Sequence, residues 1–261
     1  MGYNALPTLP NADPKIEEED VRIEVWMATQ LSGLTNARDA SLTPYVRVLV
    51  PFRGFATLEL DAVPVELWRV SPETQSRNGA ARERGTALGD VRFGGRFLLA
   101  EEGRIHPAFG LRLMTKTASG KSLEDRRFTD SPGYMLDGLF GKTLPFALGP
   151  FEGVRLLAKV GFMAWQQGSG WQDDAVALGT TLKLDTRRGR RVELEWRTYH
   201  GYEQHDRPAL IGVTFGQAFG RGLEVAGTLN RSVSADAPPW ELRVGLGMKI
   251  EHDRGGERDA R

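Results

Sequence analysis

Apolar and polar residues alternate with a period of two along most of this chain. Val192, Leu194 and Trp196 interleave with Glu193, Glu195 and Arg197. Val176, Leu178, Thr180, Leu182 and Leu184 interleave with Ala177, Gly179, Thr181, Lys183 and Asp185, and Leu242, Val244, Leu246, Met248 and Ile250 with Glu241, Arg243, Gly245, Gly247 and Lys249. Successive side chains of a strand point to opposite faces, so each run predicts a strand with one apolar and one polar face. The pattern predicts strands over 21–31, 43–52, 55–69, 87–100, 105–118, 133–143, 153–166, 174–186, 190–202, 208–219, 222–233 and 240–250, twelve in all.

An even number of long amphipathic strands suits a closed bacterial single-chain barrel. The connections sort into two alternating kinds. Arg53-Gly54, Glu101 to Arg104, Arg187 to Gly189 and Gly220-Arg221 form the shorter set, with Leu144 to Glu152 a longer member of it. Ser32 to Leu42, Ser71 to Gly85, Ser119 to Pro132, Gln167 to Asp173, Glu203 to Arg207 and Ser234 to Pro239 form the generally longer, polar set. Short turns at one end and long loops at the other are the habit of outer-membrane barrels, with the short turns periplasmic. The fold class expected is therefore all-β: a transmembrane antiparallel up-and-down barrel of about twelve strands. Its parts are an irregular periplasmic lead-in over 1–20, the barrel over 21–250 and a polar tail over 251–261. Trp26, Tyr45, Phe52, Phe55, Trp68, Tyr134, Trp165, Trp171, Trp196, Tyr202, Phe219 and Trp240 fall largely near strand ends, as interfacial girdles would.

Composition narrows the alternatives. No apolar run approaches the ~18 residues of a membrane-crossing helix. The formal net charge is zero over 261 residues, which gives no pointer to nucleic acid. Cysteine is absent, removing disulfides, thiolate metal sites and cysteine nucleophiles together. Met1 to Pro14 carries no charged and apolar leader pattern, so an outer-membrane location implies that a signal peptide has been removed.

Residues 88–113 carry a specific resemblance. Leu88-Gly89-Asp90-Val91-Arg92-Phe93-Gly94-Gly95-Arg96-Phe97-Leu98-Leu99, the acidic turn Glu101-Glu102-Gly103, and Pro107-Ala108-Phe109-Gly110-Leu111-Arg112-Leu113 resemble a hairpin of the outer-membrane barrels named for the meta-pathway of phenol degradation. Lys116-Thr117-Ala118-Ser119-Gly120 stands where that family usually has Lys-x-Pro-x-Gly, so its proline is replaced. The resemblance implies a porin-like or transporter-like barrel. Arg243-Val244-Gly245-Leu246-Gly247-Met248-Lys249-Ile250 is similar to the C-terminal insertion signal of bacterial barrels, with Arg243, Gly245, Met248 and Ile250 at its defining positions. Here the final position is aliphatic rather than aromatic, and eleven residues follow it. Outer-membrane lipid, lipopolysaccharide and the barrel-assembly machinery are the partners this reading implies.

The inward row then holds the function. Arg92, Arg96, Arg112, Lys116, Arg155, Lys159 and Lys183 fall on the fourth, fifth, seventh and eighth strands. Glu24, Glu59, Asp61, Glu193, Glu195 and Glu224 fall on the first, third, ninth and eleventh. A basic wall would face an acidic wall, an arrangement that selects and orients polar solutes. The expected function is a channel or transporter for small solutes. The rivals are a plugged barrel serving as an interaction or adhesion scaffold, in which opposite charges pair to fill the interior, and a soluble β-barrel binding an apolar ligand.

Catalysis finds little support. A phospholipase-type barrel needs His and Ser two apart on one strand face, and His106, His200, His205 and His252 have no such partner. An omptin-like rim protease would use carboxylates with a His–Asp pair, for which Asp173-Asp174 and His205-Asp206 are the candidates. Gly120-Lys121-Ser122 lacks the upstream glycine of a phosphate loop. Asp125, Asp130, Asp173 and Asp174 have no EF-hand spacing, and Arg126 and Arg127 are candidates for lipid phosphate contacts. No cofactor and no metal is expected.

Overall fold

The computed structural model describes residues 10–16, 20–31, 39–78, 81–121, 131–166, 172–202, 207–220, 222–234 and 240–250. Its strand segments are β1 (Val21–Leu31), β2 (Ala40–Phe52), β3 (Ala56–Ala62), β4 (Glu66–Arg69), β5 (Arg84–Ala87), β6 (Val91–Ala100), β7 (Ala108–Lys116), β8 (Gly133–Thr143), β9 (Gly153–Gln166), β10 (Gln172–Asp185), β11 (Arg190–Gly201), β12 (Ala209–Phe219), β13 (Leu223–Ser232) and β14 (Trp240–Ile250). One short helix, α1 (Pro72–Asn78), lies between β4 and β5. Pairing is antiparallel throughout, and β1 bonds to both β2 and β14, so the sheet closes on itself.

Fourteen segments make twelve barrel strands, because two strands are each broken once. Ala56 faces Phe97 in the β3–β6 pair and Glu66 faces Ala87 in the β4–β5 pair, one register running through both. The breaks at 63–65 and 88–90 lie side by side, and Gly89 N–H donates to Val63 O across them (3.1 Å). A Cβ at Gly89 would collide with the Val63 side chain, so the second break needs glycine. Arg53 and Gly54, both at positive φ (49° and 72°), turn the chain between β2 and β3 as a tight hairpin requires.

The outward row is apolar around the circumference. Val25, Leu58, Phe93, Leu113, Leu136, Val160, Leu194, Phe215, Leu229 and Leu246 are among its exposed members. An exposed apolar belt of this extent has no place on a soluble monomer and matches the lipid-facing band of a membrane barrel.

Inside, three zones follow one another. Toward the long-loop end, Met114, Met135, Met163, Trp165, Ala175, Ala177 and Tyr199 pack together. The middle holds charged side chains. Toward the short-turn end lies part of the chain's own beginning. The sequence reads residues 1–20 as a periplasmic lead-in; residues 10–16 of that stretch run within the barrel. Lacking alternation they form no strand, and their backbone groups are met by interior side chains instead of a ladder.

The aromatic girdle also needs correction. Phe52, Phe55, Tyr134, Tyr202 and Phe219 are exposed as that reading expects, but Trp68 and Trp165 are buried, and Trp26 and Tyr45 line an interior cavity. Strand parity, not proximity to a strand end, decides which way each ring points. Trp171 lies outside the described residues.

Candidate functional site

The inward face is built from arginines and carboxylates held two residues apart on single strands, opposite one another on neighbours, or reaching across intervening strands. Across β11, β13, β1, β2, β3 and β6 they form a continuous line of alternating charge. Arg191 Nε meets Glu193 Oε1 at 3.2 Å and Arg191 Nη2 meets Glu224 Oε1 at 2.5 Å. Glu224 Oε2 accepts from Arg22 Nη2 at 2.7 Å, and Arg22 Nε meets Glu24 Oε1 at 2.7 Å. Glu24 reaches Arg47 at 3.8 Å, Arg47 Nε donates to Asp61 Oδ1 at 2.7 Å, and Asp61 Oδ2 meets Arg92 at 3.3 Å.

A second line joins Glu195 to Arg197 (3.5 Å), Arg197 to Glu241 (3.5 Å) and Glu241 to Arg243 (2.6 Å). Glu59 stands between Arg96 (3.7 Å) and Arg112 (3.2 Å). Bringing such charges out of water costs several kcal/mol each unless they are paired and hydrogen-bonded. The interleaving supplies that compensation.

Beside these lines is a cavity of about 220 Å³. Seven arginines (Arg22, Arg47, Arg96, Arg112, Arg191, Arg197 and Arg243) line it against five carboxylates (Asp13, Glu24, Glu59, Glu193 and Glu195). Asp61, Glu224 and Glu241 pair with these arginines but do not line it, so its surface carries an excess of positive charge. Trp26 and Tyr45 add a stacked aromatic pair, with centroids 6.2 Å apart and planes 10° apart. The Trp26 ring lies where a Cβ on Gly245 would be.

Residues 10–16 close one side of this cavity. Arg155 clasps the Asp13 carboxylate with two parallel hydrogen bonds, Nε to Oδ2 at 2.5 Å and Nη2 to Oδ1 at 2.8 Å. Arg96 Nη1 donates to Asp13 O (2.8 Å), and Arg112 Nη1 donates to Pro10 O (2.9 Å). Asn11 N donates to Glu195 Oε1 (2.8 Å), while Asn11 Nδ2 donates to Thr181 Oγ1 (3.1 Å) and Trp196 O (3.2 Å). Arg155 also binds Glu102 in the turn after β6, Nη1 to Oε2 at 2.5 Å.

The sequence-predicted residues Glu24, Glu59, Asp61, Arg92, Arg96, Arg112, Arg155, Lys159, Glu193, Glu195 and Glu224 all sit on this interior face, but two stand apart. Lys116 pairs with Asp90 and Ser131 toward the long loops, and Lys183 reaches Asp185 (3.8 Å) near the short turns. The interior is not divided into a basic and an acidic wall, because Arg22, Arg191 and Arg197 stand on strands expected to be acidic. Those three, with Arg47, Arg243 and Glu241, are not among the expected lumen residues although the same alternation turns them inward. Asn11 and Asp13 had no such signal. Of the residues resembling an insertion signal, Met248 and Ile250 face outward while Arg243 and Gly245 face inward.

Among the described residues, the remaining candidates do not assemble into a second site. Asp173 is buried and the Asp174 carboxylate accepts from Gln172 Nε2 (2.7 Å). Asp125, Arg126, Arg127, Asp130, His205, Asp206 and His252 lie outside the described residues. Among the described residues there is no cluster of three or more potential metal ligands.

No family model and no curated protein matches this sequence. Several solved structures share its fold. An outer membrane channel from Pseudomonas putida superposes with a TM-score of 0.72 at 11% identity, covering 93% of this chain and 100% of that one. The KdgM porin in complex with disordered oligogalacturonate gives 0.58 at 7% identity, over 88% of this chain and 99% of that one. The translocator domain of the autotransporter NalP from Neisseria meningitidis gives 0.52 at 11% identity, over 90% of each chain. At these identities the likeness speaks to architecture: this chain is a closed twelve-stranded β-barrel of the outer-membrane kind.

Proposed function

We propose that this barrel is a channel for small polar solutes in the outer membrane of a Gram-negative-type envelope, with its short turns toward the periplasm. The observation that carries the reading is a lipid-suited outer belt around an interior cavity lined by arginines and carboxylates. Rings of fixed charge in a pore choose among ions and orient polar solutes. The resemblance of residues 88–113 to the meta-pathway barrels supports the same class of function, as do channel and porin folds among the structural neighbours.

Planar-bilayer recording tests it. The purified barrel should produce discrete conductance steps with anions preferred over cations, because the cavity surface is richer in arginine. Replacing Arg191 or Arg243, which line the cavity, by Gln should reduce that preference. A barrel shown to be folded by its heat-modifiable gel mobility, yet passing no current, would remove the channel reading.

A further inference from the structure

We propose that Arg96, Arg112 and Arg155 form a carboxylate-binding site on the channel wall, and that residues 10–16 occupy it as a tethered stand-in for the solute. The inference rests on the channel reading for its cargo, and it names that cargo's class: small organic carboxylates.

The contacts made by residues 10–16 are those of a ligand rather than of a structural element. The segment joins no ladder. It is held by a two-pronged guanidinium clasp on one carboxylate and by single guanidinium bonds to two main-chain carbonyls, Asp13 O and Pro10 O. The planar fork of arginine matches a carboxylate whoever supplies it. A solute bearing a carboxylate and a second oxygen acceptor offers the same groups.

The wall is also shaped to receive the segment. A Cβ on Gly110 would lie 2.9 Å from Pro14 Cβ, and one on Gly141 would lie 3.1 Å from Pro14 Cγ and Cδ. A Cβ on Gly179 would collide with the Asn11 side chain. Three strands, β7, β8 and β10, therefore leave side chains out along the path of the segment. The adjoining cavity of about 220 Å³ gives an arriving solute room beside the segment. That volume is below the roughly 300–1,000 Å³ typical of drug-sized ligands, so the cargo is small.

Charge supports the exchange. Around the segment, Arg96, Arg112, Arg155 and Lys159 are buried, and the wall carboxylates near them are Glu59, Glu102, Asp137 and Glu195, the last accepting from Asn11 N–H. Asp13 supplies the carboxylate held in the fork of Arg155, so a segment that withdraws leaves that carboxylate's place to be filled. The tether keeps the competitor at an effective concentration of order millimolar, which a solute must overcome.

The experiment is calorimetric titration of the full chain in detergent micelles, with malonate as the carboxylate probe and malonamide as its neutral isostere. Asp13→Ala removes the intramolecular competitor, and Gly179→Leu evicts the segment without altering any charge. If the segment fills the site about nine-tenths of the time, both variants should bind malonate roughly tenfold more tightly than the unaltered protein. Malonamide should bind none of them measurably. Adding Arg155→Gln to Asp13→Ala should abolish the gain, and Arg155→Lys, which keeps the charge but loses the fork, should lose most of it if the Gln variant does not fold. Unchanged malonate affinity in both Asp13→Ala and Gly179→Leu would overturn the proposal, as would tight binding that survives the loss of Arg155. Bilayer currents judge the channel separately. Conduction without the affinity gain sinks the carboxylate site alone, and the affinity gain without conduction sinks the channel alone.

Discussion

Glu102 shows how one side chain ties the turn after β6 to the interior. It accepts from Arg155 Nη1 (2.5 Å), the Thr143 backbone N–H (2.8 Å) and Thr143 Oγ1 (3.2 Å), with Lys142 Nζ at 3.4 Å. Burial works to raise its pKa, but the hydrogen bonds from Arg155 and Thr143 and the Arg155 charge outweigh it and hold the carboxyl at about 2, below the ordinary 4.5. A depressed folded-state pKa means that the ionised carboxylate favours the fold above the ordinary value, and that this contribution disappears as pH falls toward the folded value. The expected result is that Glu102→Gln is less stable than the unaltered protein at neutral pH. The gap in guanidinium midpoint should shrink below about pH 4.5 and close near pH 2. A gap constant across that window would show that Glu102 contributes no ionised interaction. The acidic turn was visible in the sequence as a hairpin signal, but its partners were not. Arg155 lies 53 positions further along the chain and Asp13 142 positions before Arg155, and periodicity carries no information about contacts between elements so far apart.

At the scale of the strand, the two faces obey different solvents. Leu136, near the middle of β8, is exposed between the outward residues Leu113 and Phe162. Leu136→Arg should therefore destabilise the barrel in lipid vesicles by about 2–4 kcal/mol, the cost of a midplane arginine on a lipid face. Thr214→Lys, on an inward position of β12 beside the cavity, should cost much less and alter ion preference instead. Urea unfolding from vesicles separates the two, and equal costs would contradict the assigned faces. Alternation made the strands legible because lipid demands an apolar row on every one of them. The breaks at 63–65 and 88–90 were not legible, since they depend on Gly89 lying against Val63 on the neighbouring strand. Residues 10–16 were misplaced for a related reason: an irregular segment is positioned by what it touches, and its arginine partners are supplied by β6, β7 and β9.

For the whole molecule, net charge is a poor guide to what the interior does. The chain is formally neutral, with 34 basic and 34 acidic residues, yet the cavity surface shows seven arginines and five carboxylates. The difference arises because Asp61, Glu224 and Glu241 pair with these arginines but do not line the cavity. Fields set up by such placement act over short distances and are cut by mobile ions. The screening length is about 10 Å at 0.1 M salt and about 3 Å at 1 M. The anion preference of the open channel should therefore be clear at 0.1 M potassium chloride and collapse toward the ratio of free-ion mobilities at 1 M. The innermost of the paired groups are shielded from solvent, with Asp61 1%, Arg197 3% and Glu241 5% exposed at the side chain, so their pairs are screened far less. Unfolding midpoints should change little over the same salt range. Reversal potentials under a salt gradient and unfolding midpoints, measured on one preparation, decide the matter. A preference that persists unchanged at 1 M would mean that size, not charge, selects. A midpoint that falls steeply with salt would mean that the charged lines are open to water rather than packed within the barrel.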